Sequence, residues 1–344
     1  MEFDLIDRIR ARVASRDDVV LGIGDDAAIL EVAPGRQLVV AADTLNAGVH
    51  FPHGTAAADI GWKALAVNLS DLAAMGAEPA WCTLSLSLPE ADAEWLDGFL
   101  DGFLELAGAH RVALVGGDTT RGPLSIGVTV HGLVEPGGAL RRDGARAGDD
   151  IWVSGTLGDA AGALALLQRP EPVVAAACEA GPVLAAGPAD ATDEALPRLR
   201  PRLDRPTPRV QLGRGLAGLA HAAVDVSDGL LADLAHVCRA SGVGAGIDID
   251  ALPCSAALRD AFDEGERRSL QAGGGDDYEL CFTAPADRRE RIEALGAATG
   301  VALARVGRVV DGAGVVARDR SGAPWTPGRA GYAHFAEPFA PAPG

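Results

Sequence analysis

The sequence predicts a two-domain protein, an α+β N-terminal half followed by an α/β C-terminal half. Three observations carry this. Its 344 residues are enough for about two domains of ordinary size, each with its own core. The first half orders its apolar patterns as helix, β-rich run, long helix, strand, helix and two strands, an α+β arrangement. A Gly- and Arg-rich stretch from Glu135 to Gly148 then breaks the pattern before Asp150 to Ser154 begins a new strand. The domains are accordingly expected at 1–137 and 148–344.

Each element has its own reason. Asp4 to Ala14 alternates apolar and charged residues at helical spacing, and Val19 to Leu21 leads into Gly22 to Leu30. Ala33-Pro34-Gly35 turns the chain into the β-rich Gln37 to Asp43, so the two runs read as a hairpin. Asp59 to Met75 reads as one long amphipathic helix stopped by Gly76 with Pro79 beyond. Strand Trp81 to Leu88, helix Ala91 to Ala109 and strands Val112 to Val115 and Leu124 to Val134 complete the first half. In the second, Thr156 to Asp159 opens a helix, while Arg169 to Arg209 is dominated by Ala, Pro and charge, shows no clear hydrophobic period through Leu196 to Pro208, and reads partly as a surface insertion. Beyond it come strand Ala222 to Val226, helix Leu230 to Ser241, strands Gly246 to Ile249 and Tyr278 to Thr283, a charged helix from Pro285 to Gly300, and short strands.

Composition excludes several function classes. The N-terminus carries acids where a secretory signal needs a basic and then an apolar region. No apolar run approaches the roughly 20 residues of a membrane span, so a soluble, cytoplasmic protein without a membrane partner is expected. Five cysteines (Cys82, Cys178, Cys238, Cys254, Cys281) form no C-x-x-C pair and read as reduced, mostly buried thiols. A formal charge of −18 repels nucleic acid at long range.

The acids are nevertheless clustered: Gly24-Asp25-Asp26, Ala42-Asp43-Thr44, Asn68-Leu69-Ser70-Asp71, Gly116-Gly117-Asp118-Thr119-Thr120, Asp225-Val226-Ser227-Asp228-Gly229 and Gly274-Gly275-Asp276-Asp277. One such Asp reads as a helix cap or turn residue. Together they read differently. Asp43 and Asp118 follow apolar β runs, so their carboxylates are expected at strand ends, and Asn68 and Asp71 share a helix face. Converging carboxylates raise one another's pKa unless a hard cation stands between them. Mg²⁺ suits such oxygen ligands and is commonly completed by substrate phosphates. A Walker A loop is excluded because the one lysine, Lys63, stands in Gly61-Trp62-Lys63-Ala64; the protein-kinase motifs are also absent. Gly22-x-Gly24-x-x-Ala27 with Asp43 imitates a dinucleotide fingerprint, but Asp25 and Asp26 would face a pyrophosphate and Pro34-Gly35 leaves no room for a crossover helix.

Taken in order and spacing with Asp43-Thr44-Leu45, His50-Phe51 and Gly274-Gly275-Asp276-Asp277-Tyr278-Glu279-Leu280, these motifs resemble thiamine-monophosphate kinase from residue 4 to Phe335. Single motifs are shared with other enzymes of the scaffold: aminoimidazole ribonucleotide synthetase, selenophosphate synthetase and hydrogenase-maturation dehydratase. The resemblance implies a homodimer whose N-terminal α+β domains pair their strands into a cross-dimer β-barrel, with a C-terminal α/β domain closing over it. It implies transfer of the ATP γ-phosphoryl group to thiamine monophosphate. Asp26, Asp43, Asp71, Asp118 and Asp225 are then implied as Mg²⁺ ligands, with Thr44 and the backbone of Ala42 as helpers and Asp228 on a further ion. Gly117, Asp118, Arg142 and Ser227 are implied at ATP, and His50, Asp276 and Tyr332 at the thiamine phosphate. Asp43, Asp118, Arg142 and Asp225 would bear on the transfer itself.

This sequence departs from the family's pattern in places. Ala41-Ala42 removes hydroxyls that usually precede Asp43, and Asp276 shortens the usual glutamate by one methylene, placing water between it and its partner. The acceptor phosphate, with a second pKa of about 6, is already a nucleophile at neutral pH. The alternatives are another ATP-using enzyme of this scaffold and a nucleotide-binding relative without turnover.

Overall fold

The computed structural model describes residues 2–169 and 189–327. Tyr332 and Cys178 lie outside the described residues. The chain begins with α1 (Glu2–Arg12), β1 (Val19–Leu21), β2 (Ile29–Leu30), β3 (Gln37–Asn46), α2 (Ala57–Ala74), β4 (Glu78–Leu88), α3 (Ala93–His110), β5 (Ala113–Arg121) and β6 (Ser125–Val134). Four strands form a mixed sheet in the order β3-β6-β4-β5, backed by α2 and α3.

The hairpin differs from expectation. β1 pairs with β2, while β3 joins β6 in an unbroken ladder from Gln37↔Val134 to Asn46↔Ser125. The two residues of β2 offer β3 far fewer hydrogen bonds than β6 does, and the longer ladder wins. Two further expectations are corrected. Asp43 and Asp118 lie within strands, not beyond their ends, because β3 runs on to Asn46 and β5 to Arg121.

Helix α2 is buried nearly all round, from Ile60 to Ala74 save Trp62 and Asp71, rather than amphipathic. Gly61 and Gly102 let it approach α3: a Cβ on Gly102 would stand 1.8 Å from the Ala58 carbonyl oxygen. The helix ends as expected, with Gly76 at φ +67 and the Ala77 amide donating back to the Leu72 carbonyl.

The second half supplies β7 (Asp150–Ser154), α4 (Asp159–Leu167), α5 (Ala189–Asp204), α6 (Val210–Leu216), β8 (Ala222–Asp225), α7 (Leu230–Ser241), β9 (Gly244–Asp248), α8 (Ala256–Ala261), α9 (Glu264–Gly273), β10 (Leu280–Ala284), α10 (Arg289–Thr299), β11 (Leu303–Val310), β12 (Gly314–Arg318) and β13 (Pro324–Trp325). Seven strands pair in the order β13-β12-β9-β11-β7-β10-β8. The sheet is mixed, with only β12 and β9 parallel.

Of the stretch read partly as an insertion, residues 170–188 lie outside the described residues, and α5 is not an insertion. Ala195, Leu199 and Leu203 recur every four residues and pack with Ala160, Ala163, Leu258 and Phe262 in a core of their own. The largest core runs through both halves, joining Leu65, Leu69 and Phe99 to Val210, Ala223, Leu280 and Phe282. Among the described residues no helix is long and apolar enough to cross a membrane. Cys82, Cys238 and Cys281 are buried thiols, and Cys254 is a partly buried one. Within one chain the four-stranded sheet stays open at both edges, β3 and β5.

Candidate active site

Helix α2 threads between the two sheets, and its polar residues reach both. Asn68, fully buried, anchors its own amide on the Ala64 carbonyl and accepts the Asp43 backbone N–H at 2.9 Å. Ser70 donates to Asp225 at the end of β8. Asp71 lies half-buried between them, where burial and the charges of Asp225 and Asp43 push its pKa up to about 8 against the pull of Arg142. Burial likewise raises Asp225 to about 6, with Ser70 and Arg142 opposing. Asp43 is raised by burial and by Asp228, although His50 opposes. The electrostatics therefore bring together Asp43, Asp71, Asp225 and Asp228, with Arg142 and His50 as the nearby bases.

The two loops of the second half are locked onto each other. Oδ2 of Asp233, in the first turn of α7, accepts from the amides of Ser227, Asp228 and Gly229 at 3.0–3.2 Å. The Asp276 amide donates to the Ser227 carbonyl and the Tyr278 amide to the Val226 carbonyl. Asp276 and Tyr278 hold φ of +68 and +49, a region that side chains other than glycine's rarely adopt. Gly275 permits the approach: a Cβ there would stand 2.5 Å from the Ser227 carbonyl oxygen.

The remaining sequence-derived residues fall elsewhere. Asp118 on β5 pairs with Ser85 on β4, and Gly127 on β6 and Thr44 on β3 continue the same row. This row occupies the face opposite Asp43, and three strand spacings of roughly 4.8 Å separate its ends. Ala42 lies on that face too. Gly117 has φ +147, and a Cβ there would meet the Leu84 carbonyl oxygen at 1.8 Å. Asp26 is exposed in the β1–β2 connection, its amide on the Asp25 carboxylate. One chain thus brings Asp43, Asp71, Asp225 and Asp228 together and leaves Asp26 and Asp118 outside that group. Among the described residues no three His, Cys, Asp or Glu side chains close a metal shell by themselves. Hard oxygen donors that repel one another nonetheless suit a divalent cation completed by water and phosphate.

Two model domains of the AIR synthase related proteins match this chain, the N-terminal one over residues 24–134 and the C-terminal one over 146–320. A thiamine-monophosphate kinase from Salmonella typhimurium is 45% identical over 98% of this chain and 99% of its own. The chain belongs to the thiamine-monophosphate kinase family. A crystal structure of thiamine-monophosphate kinase from Stenotrophomonas maltophilia shares 58% identity with a TM-score of 0.82, covering 92% of this chain and 96% of that one. A further structure, solved with AMPPCP and TMP, shares 32% identity at a TM-score of 0.72 over 97% of both chains.

Within this thiamine-monophosphate kinase fold, sequence reasoning passed over three side chains. Lys63 is 1% exposed and ion-paired to Asp276; a single lysine inside an apolar helix was its signal. Asp233 organises a loop from within α7, and Glu279, just ahead of β10, stands in the 274–280 motif but was given no role there.

Proposed function

We propose that this protein transfers the γ-phosphoryl group of ATP to thiamine monophosphate, giving thiamine diphosphate and ADP. One observation carries the reading beyond family membership: four mutually repelling carboxylates, Asp43, Asp71, Asp225 and Asp228, gathered where the two halves meet. Such a group costs stability unless cations and phosphates complete it. The relative solved with AMPPCP and TMP supports the choice of donor and acceptor.

In this reading Asp43, Asp71, Asp225 and Asp228 hold Mg²⁺, with Asp26, Asp118, Thr44 and the Ala42 carbonyl as further oxygen donors. Bound Mg²⁺ supplies charge neutralisation between two anionic phosphates and for the spread charge of a loose transition state. Arg142, felt by both Asp71 and Asp225, adds a fixed positive charge at the transferred group. Gly117, Asp118 and Ser227 line the ATP side, and His50, Asp276 and Tyr332 the acceptor side. The acceptor phosphate attacks in line, needs no general base, and forms no covalent enzyme intermediate.

We further read the chain as domains at 1–137 and 148–344 that work in the cytoplasm as a homodimer. The open edges β3 and β5, with exposed Leu38 and Val40 on β3, favour closure of a barrel across two copies.

The deciding experiment follows ADP and thiamine diphosphate in purified protein given ATP, Mg²⁺ and thiamine monophosphate. Controls replace the acceptor with thiamine, omit it, or add EDTA. Diphosphate is expected only in the complete mixture. ATP binding without diphosphate would leave the scaffold and remove the substrate, and a ³²P-labelled side chain would overturn direct transfer.

A further inference from the structure

Lys63 stands in the middle of α2 with its side chain 2% exposed. An ammonium taken out of water must find partners, and this one finds two, from opposite halves of the chain. It donates to the His50 carbonyl at 2.9 Å and pairs with Asp276 Oδ2 at 3.2 Å. The other oxygen of Asp276 accepts from the Tyr278 hydroxyl at 3.1 Å. On the far side, His50 Nδ1 accepts the Asn46 backbone N–H at 2.9 Å, which leaves the proton of a neutral ring on Nε2.

We infer that Lys63 is a positioning residue that clamps His50 and Asp276, the two described residues of the acceptor pocket, at a fixed separation across the two halves. The inference rests on the reading of that pocket given above. The ammonium makes the one side-chain hydrogen bond or ion pair from α2 to the strained 274–278 loop among the described residues. That loop holds Asp276 and Tyr278 at positive φ, so it keeps its shape only while its surroundings over-determine it. Removing the ammonium leaves the Asp276 carboxylate with one partner instead of two and the His50 carbonyl with none from Lys63. The pocket then loses its register before the metal cluster does, since Asp43, Asp71 and Asp225 make no recorded contact with Lys63.

Two measurements on Lys63→Met, which keeps length and loses charge, test this. Hydrogen–deuterium exchange of the ligand-free protein should rise at 46–53 and 274–279 and stay at the wild-type level in β7 and α7. Kinetics should show KM for thiamine monophosphate raised about tenfold, with KM for ATP within twofold. The double variant Lys63→Met, Asp276→Asn should be no worse than the poorer single one, because both remove the same contact. Uniformly raised exchange with both KM values moved together would reduce Lys63 to a packing residue and overturn the clamp. So would unchanged exchange in the two segments. The exchange measurement needs no substrate: a wild-type protein inactive on thiamine monophosphate would refute the substrate reading, and exchange would still decide the clamp.

Discussion

The Ser70 hydroxyl on α2 donates to Oδ2 of Asp225 at the end of β8 across 2.8 Å, with both residues buried. This bond ties the helix of the first sheet to a strand of the second and fixes the direction of one carboxylate of the cluster. Ser70→Ala leaves that carboxylate without its donor. The expected loss is about 1–2 kcal/mol of stability, with a higher Mg²⁺ concentration at half-maximal activity. Denaturant unfolding in EDTA and a Mg²⁺ titration measure the two effects. Wild-type values in both would show that the bond neither stabilises nor orients.

Asp71→Asn should separate stability from function. Burial and the charges of Asp225 and Asp43 hold Asp71 at a pKa of about 8, so its anionic form opposes folding at neutral pH. The amide keeps the shape and drops the charge. In EDTA at pH 8 the variant is expected to melt above wild type, while activity falls at least about a hundredfold through loss of charge stabilisation. A lower melting temperature would mean that the cluster is not repulsive.

The order of elements was legible wherever a period ran uninterrupted, and α7 and β7 lie where the pattern placed them. It failed where local and distant pairing competed. β3 is indistinguishable from a hairpin partner of β2 until β6, some ninety residues on, is known to pair with it. α5 was hidden by Pro197 and Pro201 inside the helix, which mask the spacing of Ala195, Leu199 and Leu203. At the site, Asp43, Asp71, Asp225 and Asp228 stand in motifs that announce themselves. Lys63 does not, since its partner Asp276 is set by packing of α2 against a loop far away in sequence; Asp233 bonds the neighbouring 227–229 turn, which its own spacing does not reveal.

Glu279 shows what α5 is for. It is fully buried, accepts from Ser154, and binds the guanidinium groups of Arg202 on α5 and Arg209 just before α6. Glu279→Gln keeps the volume but removes the charge that both arginines face. Breaking a buried pair in this way costs about 3–5 kcal/mol. The expected result is lower denaturant resistance, with proteolytic cleavage appearing first within α5. Unchanged resistance would mean that α5 is held by its apolar face alone.

The pH dependence of stability should change with metal. Asp71, Asp225 and Asp233 have folded pKa values of about 8, 6 and 7, all above the unfolded carboxylate value of about 4. Between pH 4 and 8 the folded state therefore binds more protons than the unfolded one, and stability falls as pH rises. In EDTA the melting temperature is expected to drop by several degrees from pH 5.5 to 8.5, and the drop should end once Asp71 is ionised. Mg²⁺ binds only the ionised carboxylates, so binding releases protons and stabilises most at high pH. Saturating Mg²⁺ should accordingly raise the melting temperature more at pH 8.5 than at pH 5.5. A rise of stability with pH in EDTA would show that these acids are already ionised in the metal-free protein, and with a falling EDTA curve an equal Mg²⁺ shift at both values would show that Asp71 and Asp225 do not form the cation site.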